Sequence, residues 1–148
     1  EIPLTKDIDP EDIIFSIRDL TLKKPFLVNI GNPHIIFFDD EIEKYDVEIF
    51  GSLIENDNLF PEKINVSFAK LKSDNHIVLN VWERGAGKTN ACGTAACATA
   101  VAGVEMGLIK NKVTVTVPGG DLEIYYKSSD NIIMTGPTEI NFTDKYKL

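Results

Sequence analysis

Residues 89–104 carry no charge at all, in a chain where charged residues make up 26%. The stretch around them, residues 82–107, reads WERGAGKTNACGTAACATAVAGVEMG. After Cys92 the run of Gly, Thr, Ala, Cys and Val is long enough for a helix, and Gly107 stands where a left-handed C-terminal cap is expected. A helix without a polar face does not sit well at a surface, so this one predicts the buried axis of a domain. Its N-terminus would point free N–H groups and a partial positive charge at Cys92, a setting that binds an anion and favours a thiolate over a thiol.

The rest of the chain reads as strands around that axis. Residues 1–11 form an entering segment. Ile13, Phe15 and Ile17 alternate with Ile14, Ser16 and Arg18, which predicts a strand, although Asp9-Pro10-Glu11-Asp12 could start a helix. Residues 25–29 and 34–38 read as two short strands broken by Gly31-Asn32-Pro33. Ile42, Tyr45, Ile49, Phe50, Leu53 and Ile54 mark one amphipathic helix over residues 41–54. After a loop at 56–62, Ile64, Val66 and Phe68 share one strand face, and Ile77, Leu79 and Val81 share another. Beyond the apolar helix, Val113, Val115 and Val117 lead through Pro118-Gly119-Gly120-Asp121, a hairpin turn, to Leu122, Ile124 and Tyr126. A last strand is expected at 132–136. The class is α+β: a curved, mostly antiparallel, barrel-like sheet wrapped around a central apolar helix, with one further amphipathic helix.

Size and charge remove several functions. With 148 residues the chain makes one domain, or one half of something larger. The net charge of −8 comes with no basic stripe, which argues against nucleic acid as a partner. The uncharged run is too short to span a bilayer, so no membrane partner is expected. The sequence starts at Glu1 with neither Met nor a signal-type apolar segment, and the expectation is a truncated piece of a cytoplasmic protein. Cys92 and Cys97, five positions apart on one helix, would lie roughly 8–9 Å apart and diverge, beyond disulfide reach. His and Cys show no metal-ligand spacing, so no metal site is expected. Cys97 reads as a small core residue, whereas Cys92, at the helix entrance, is the candidate for reactivity.

Other residues keep two readings. Gly87-Lys88-Thr89 looks like the tail of a phosphate-binding loop, but Trp82 holds the place where that motif needs its first glycine. Asn32, held extended by Pro33, could aim its amide into a cleft, or Asn32-Pro33-His34 could be an ordinary turn with a surface histidine. Asn65 faces either solvent or a site. Glu83 and Arg84 make either a surface ion pair of little energetic worth or a reader of a charged ligand at a strand end.

Together these pieces resemble one family. ERGAGxT followed by ACGTxxC, with GNPH upstream, INV at 64–66 between, and VPGGDL and MTGP downstream, are similar in order and spacing to the C-terminal half of diaminopimelate epimerase. The resemblance runs from Glu1 through Pro137. Lys88 stands where the family usually has Glu, and Ala95 where it usually has Gly.

The resemblance implies an isomerase that needs no cofactor and inverts the α-carbon of LL-diaminopimelate to the meso form, on the path to lysine and peptidoglycan. It implies two half-domains of similar fold, each supplying one cysteine from the start of its central helix. One thiolate removes the α-proton and the other thiol returns a proton to the opposite face. Carried over by position, Cys92 is the catalytic cysteine of this half. Gly93 and Thr94 hold the substrate carboxylate, and Asn32, Asn65, Glu83 and Arg84 contact substrate. His34 and Glu83 adjust the thiol pKa values. The chemistry is coherent, because carbanion formation without an electron sink loads charge onto the carboxylate, where helix N–H donors stabilise it.

One cysteine at a helix entrance is half of a two-base mechanism. The isolated chain is therefore expected to be inactive without its N-terminal half-domain, and its uncovered face is expected to favour a homodimer. A binding module of the same fold, or a relative of proline racemase, are the alternatives.

Overall fold

The computed structural model describes residues 2–128, 131–138 and 143. The chain enters through a 3-10 turn at Pro10–Asp12, whose cap Asp9 accepts the Glu11 N–H at 2.9 Å. The helix-start signal there is thus satisfied by a single turn. Strands β1 (Ile14–Ile17) and β2 (Leu20–Lys23) follow as a separate two-stranded hairpin. Sequence periodicity found β1 and missed β2, because the turn between them is made by Arg18 at φ 54°, without the Gly or Asn that usually marks such a turn.

The main sheet contains β3 (Phe26–Asn29), β4 (Pro33–Phe38), β5 (Asn65–Ser73), β6 (His76–Glu83), β7 (Gly87–Lys88), β8 (Lys112–Val117), β9 (Gly120–Tyr125) and β10 (Ile133–Thr135). Their order is β10-β9-β8-β6-β5-β4-β3, with β7 paired to the end of β6. All pairs are antiparallel except β4 with β5 and β6 with β8. Parallel neighbours need a long crossover, and the two α-helices lie in these two connections. Helix α1 (Val47–Glu55) lies between β4 and β5, and α2 (Gly93–Glu105) between β6 and β8.

The helices cover opposite faces of the sheet, so its middle strands are buried on both sides. On β4, Ile35 and Phe37 pack with α1 while Ile36 packs with α2; on β5, Val66 and Phe68 face α1 and Ala69 faces α2. The α1 side is an aromatic core in which Phe68 meets Phe37, Tyr45 and Phe50 at centroid distances of 6.2, 5.6 and 6.5 Å. The α2 side is aliphatic, with Leu79, Val81, Val115 and Ile124 closing on a helix whose residues Ala95 to Gly103 are all buried. Alanine adds little burial energy per residue, so α2 contributes chiefly by letting strands approach its backbone closely.

Both ends of α2 match the sequence expectation. Cys92 is its N-cap, and at the far end Leu108 N–H bonds Gly103 C=O at 2.8 Å and Gly107 N–H bonds Val104 C=O at 2.9 Å. Gly107 takes φ 70°, the left-handed cap that closes this motif. The amphipathic helix differs from expectation. Residues 41–54 are not one helix but a 3-10 turn at Ile42–Lys44 followed by α1. Asp46 sits extended between them and caps α1, accepting N–H groups of Glu48 at 3.0 Å and Ile49 at 3.3 Å. A side chain that can cap the next turn competes with continuing the helix.

The family resemblance implies one further strand beyond 132–136, over residues 138–148 with Ile140, Phe142 and Tyr146; apart from Thr138 and Thr143 that segment lies outside the described residues. Among the described residues no helix is long and apolar enough to cross a membrane.

Candidate active site

Cys92 is extended (φ −139°, ψ 107°), and its Sγ accepts the Ala95 N–H at 3.4 Å. Thr94 Oγ1 lies 3.4 Å from the same sulfur. The first turn of α2 thus folds back on its own cap, which is why the Cys-Gly-Thr order matters locally: glycine leaves the helix mouth unobstructed. A Cβ on Gly93 would come within 3.2 Å of Met134 Sδ on β10. Cys92, Gly93 and Thr94 line an open depression of about 560 Å³, together with Glu83 from the end of β6 and the apolar side chains of Ile30, Ile132 and Met134.

A hydrogen-bonded chain runs from this mouth into the sheet. Asn32 Nδ2 donates to Thr94 Oγ1 at 3.3 Å, and His34 Nε2 donates to Asn32 Oδ1 at 2.9 Å. Because the Asn32 amide is oriented by its bond to Thr94, the His34 proton belongs on Nε2. Among the described residues the Nδ1 of this fully buried ring finds no hydrogen-bond partner. Burial, reinforced by the positive charge of Arg84, lowers the His34 pKa to about 4, so the ring is neutral at neutral pH. The turn with a surface histidine is therefore not what forms. β4 is an interior strand, and His34 shares the face of Ile36.

Asn65 is likewise buried, at 4% exposure, rather than turned to solvent. Alternation along β5 was read correctly, but its second face is covered by α2. Asn65 Nδ2 donates to Pro33 C=O at 2.8 Å and its Oδ1 accepts the Arg84 N–H at 3.0 Å. One side chain so ties the Asn32-Pro33-His34 corner to the end of β6.

Glu83 and Arg84 diverge, as successive residues at a strand end should. Glu83 accepts the Thr89 hydroxyl at 2.5 Å and faces the Cys92 depression. Arg84 turns its Nη1 to Glu62 C=O at 3.0 Å and does not line that depression. Lys88 is exposed on β7, and α2 starts only at Gly93, so the phosphate-loop arrangement does not form.

The thiol itself departs from the sequence expectation. Burial, the largest cause, raises the Cys92 pKa; the Thr94 hydroxyl and Ala95 N–H pull it down, and the Glu83 carboxylate pushes it up again. Cys92 is therefore a protonated thiol at neutral pH. Cys97 is buried one helical turn deeper on the same side, and burial and then Cys92 raise its thiol too. Both cysteines are free.

Two contributors escaped the sequence reading. Thr89 was seen only as part of a loop motif, and Glu55, one residue beyond the helix expected over 41–54, was not singled out at all. Neither has a local signal, because each meets its partner through β6 and β7 pairing or through α1 packing.

Residues 26–141 match the family described as Diaminopimelate epimerase. The chain is 46% identical over 147 residues to a diaminopimelate epimerase of Methylocella silvestris, covering 96% of this chain and 51% of that protein. It is 51% identical over 121 residues to that of Erythrobacter litoralis, covering 82% of this chain and 45% of the relative. The chain thus spans about half the length of the curated relatives it matches. Among solved structures, a phenazine biosynthesis protein of the PhzF family from Enterococcus faecalis superposes with a TM-score of 0.51 at 17% identity, over 66% of this chain and 35% of that one. That likeness is one of fold: a curled, mostly antiparallel sheet closed on a central helix.

Proposed function

The chain belongs to the diaminopimelate epimerase family, and we propose that it forms the C-terminal half of an enzyme that inverts LL-diaminopimelate to the meso form without a cofactor. The observation that carries this reading is the Cys92 thiol at the N-cap of α2, opening on a depression that the Glu83 side chain also lines.

In this mechanism a thiolate from the N-terminal half removes the α-proton, and the electron pair moves into the substrate carboxylate. The first N–H groups of α2, at Gly93 and Thr94, have no carbonyl partner inside the helix and stabilise that charge. Cys92 then delivers its proton to the opposite face of the α-carbon and becomes the thiolate. A thiol held above its ordinary pKa keeps its proton until the carbanion forms, and Glu83 contributes to that hold. His34, neutral, keeps Asn32 and Thr94 aligned on the sulfur without adding a positive charge that would ionise it early. Asn32, Asn65, Glu83 and Arg84 serve as the substrate contacts, their amide, carboxylate and guanidinium groups suiting a ligand that carries ammonium and carboxylate ends. Free thiol chemistry suits a reducing compartment, which supports the cytoplasm.

The test joins this chain to an N-terminal half of the family and follows inversion of LL-diaminopimelate with deuterium uptake from D2O. Cys92→Ala should lose inversion by a factor on the order of 10²–10⁴, the usual worth of a positioned proton donor. The chain alone should show none. Inversion at the unmodified rate by Cys92→Ala would overturn the assignment.

A further inference from the structure

The end of β6 is fastened from outside the site. Glu55, on the last turn of α1, is 4% exposed, yet it is a carboxylate. Its Oε2 accepts the Trp82 Nε1–H at 2.6 Å and its Oε1 accepts the Gly85 N–H at 2.9 Å. Lys63 Nζ approaches Oε1 at 3.7 Å. A buried carboxyl group is weak evidence for stability, because its desolvation offsets most of what its hydrogen bonds return. What is specific is where the two bonds land: on the residues that flank Glu83 and Arg84.

Two further features point the same way. Gly51 precedes Glu55 by one helical turn and so shares its face of α1. A Cβ on Gly51 would stand 2.3 Å from Trp82 Cβ and 2.4 Å from its Cγ, so the indole lies directly on the helix backbone there. The turn after β6 also has its N–H groups tied in succession. Arg84 N–H goes to Asn65 Oδ1, Gly85 N–H to Glu55 Oε1, and Ala86 N–H to Glu83 C=O at 3.1 Å.

We propose that Glu55, with Gly51 as the bare surface beside it, is a positioning residue: α1 grips Trp82 and Gly85 so that the Glu83 carboxylate is held against Cys92. Its importance for turnover rests on the epimerase reading above, but the grip itself is readable without turnover.

The experiment uses this chain and measures the iodoacetamide rate at Cys92 by peptide mapping, at fixed pH and with each variant fully folded. Releasing Glu83 from the thiol raises the thiolate fraction. Glu55→Gln, whose amide can accept only one of the two N–H groups, is therefore expected to speed labelling about threefold. In a Glu83→Gln background, Glu55→Gln should add nothing, since residues acting through one another are not additive. Gly51→Ala, which displaces Trp82 without touching a carboxylate, should reproduce the acceleration and the same dependence on Glu83, and it serves where Glu55→Gln does not fold. Acceleration of equal size with and without the Glu83 carboxylate would overturn the proposal, because it would mean general loosening. No acceleration in either Glu55→Gln or Gly51→Ala would overturn it as well.

Discussion

Asn65→Ala removes a side chain whose two hydrogen bonds both go to backbone groups, and two segments depend on it. The Pro33 carbonyl, on a buried residue, loses its donor at 2.8 Å, and the Arg84 N–H, half-buried, loses its acceptor at 3.0 Å. A buried polar group left without a partner costs about 1–3 kcal/mol. Pro33 belongs at the upper end of that range, and Arg84, which water can reach, at the lower, for a loss of about 2–4 kcal/mol. For a domain of this size that lowers Tm by roughly 5–15 °C. Thermal and urea unfolding of the chain, followed by circular dichroism, give both numbers. A companion variant sharpens the reasoning. Asn65→Asp keeps an acceptor for Arg84 but turns an anion on the Pro33 carbonyl, so burial and that carbonyl should raise its carboxyl pKa. A raised folded pKa means stability present at low pH and lost as pH rises through it. Asn65→Asp should therefore lie closest to the unmodified chain near pH 4 and furthest from it at pH 7. A loss under about 0.5 kcal/mol for Asn65→Ala, the range of ordinary surface changes, would refute the bridging role.

Two more expectations follow from the thiols and the histidine. Iodoacetamide should label both cysteines slowly at pH 7 and faster as pH climbs past the usual thiol range, with Cys92 ahead, because Thr94 and Ala95 favour its thiolate whereas burial and then Cys92 both raise the Cys97 thiol; earlier labelling of Cys97 would sink the assignment. His34, at about 4 against an ordinary 6.5, is neutral in folded and unfolded states above pH 6.5 and draws its proton first in the unfolded chain below it. Stability should thus fall by about 3 kcal/mol between pH 6.5 and 4 and do so less in His34→Phe, compared by urea titrations across that window; parallel curves would count against the buried neutral ring.

Much of this protein was decided locally and could be read along the chain. A run without charge predicts a buried helix whatever surrounds it, and Gly107 at φ 70° ends it for a reason internal to one residue. Period-two alternation marked most of the sheet strands, and Cys92 at the head of α2 follows from the order Cys-Gly-Thr alone. What the tertiary structure decided is which faces are covered and which distant groups meet. Alternation on β5 tells that Asn65 and Val66 face opposite ways, but only the α2 crossover puts Asn65 and Ser67 inside rather than in water. A helix N-terminus argues for a thiolate, but that field is one influence among several. Burial raises the Cys92 thiol against the pull of Thr94 and Ala95, and the Glu83 carboxylate, delivered by a strand end nine residues earlier, adds a smaller push upward. The neutral His34 and the Glu55 grip have no sequence pattern, because each exists only where two elements are packed. Propensity and periodicity are properties of neighbours along the chain; desolvation and charge pairing are set by neighbours in space.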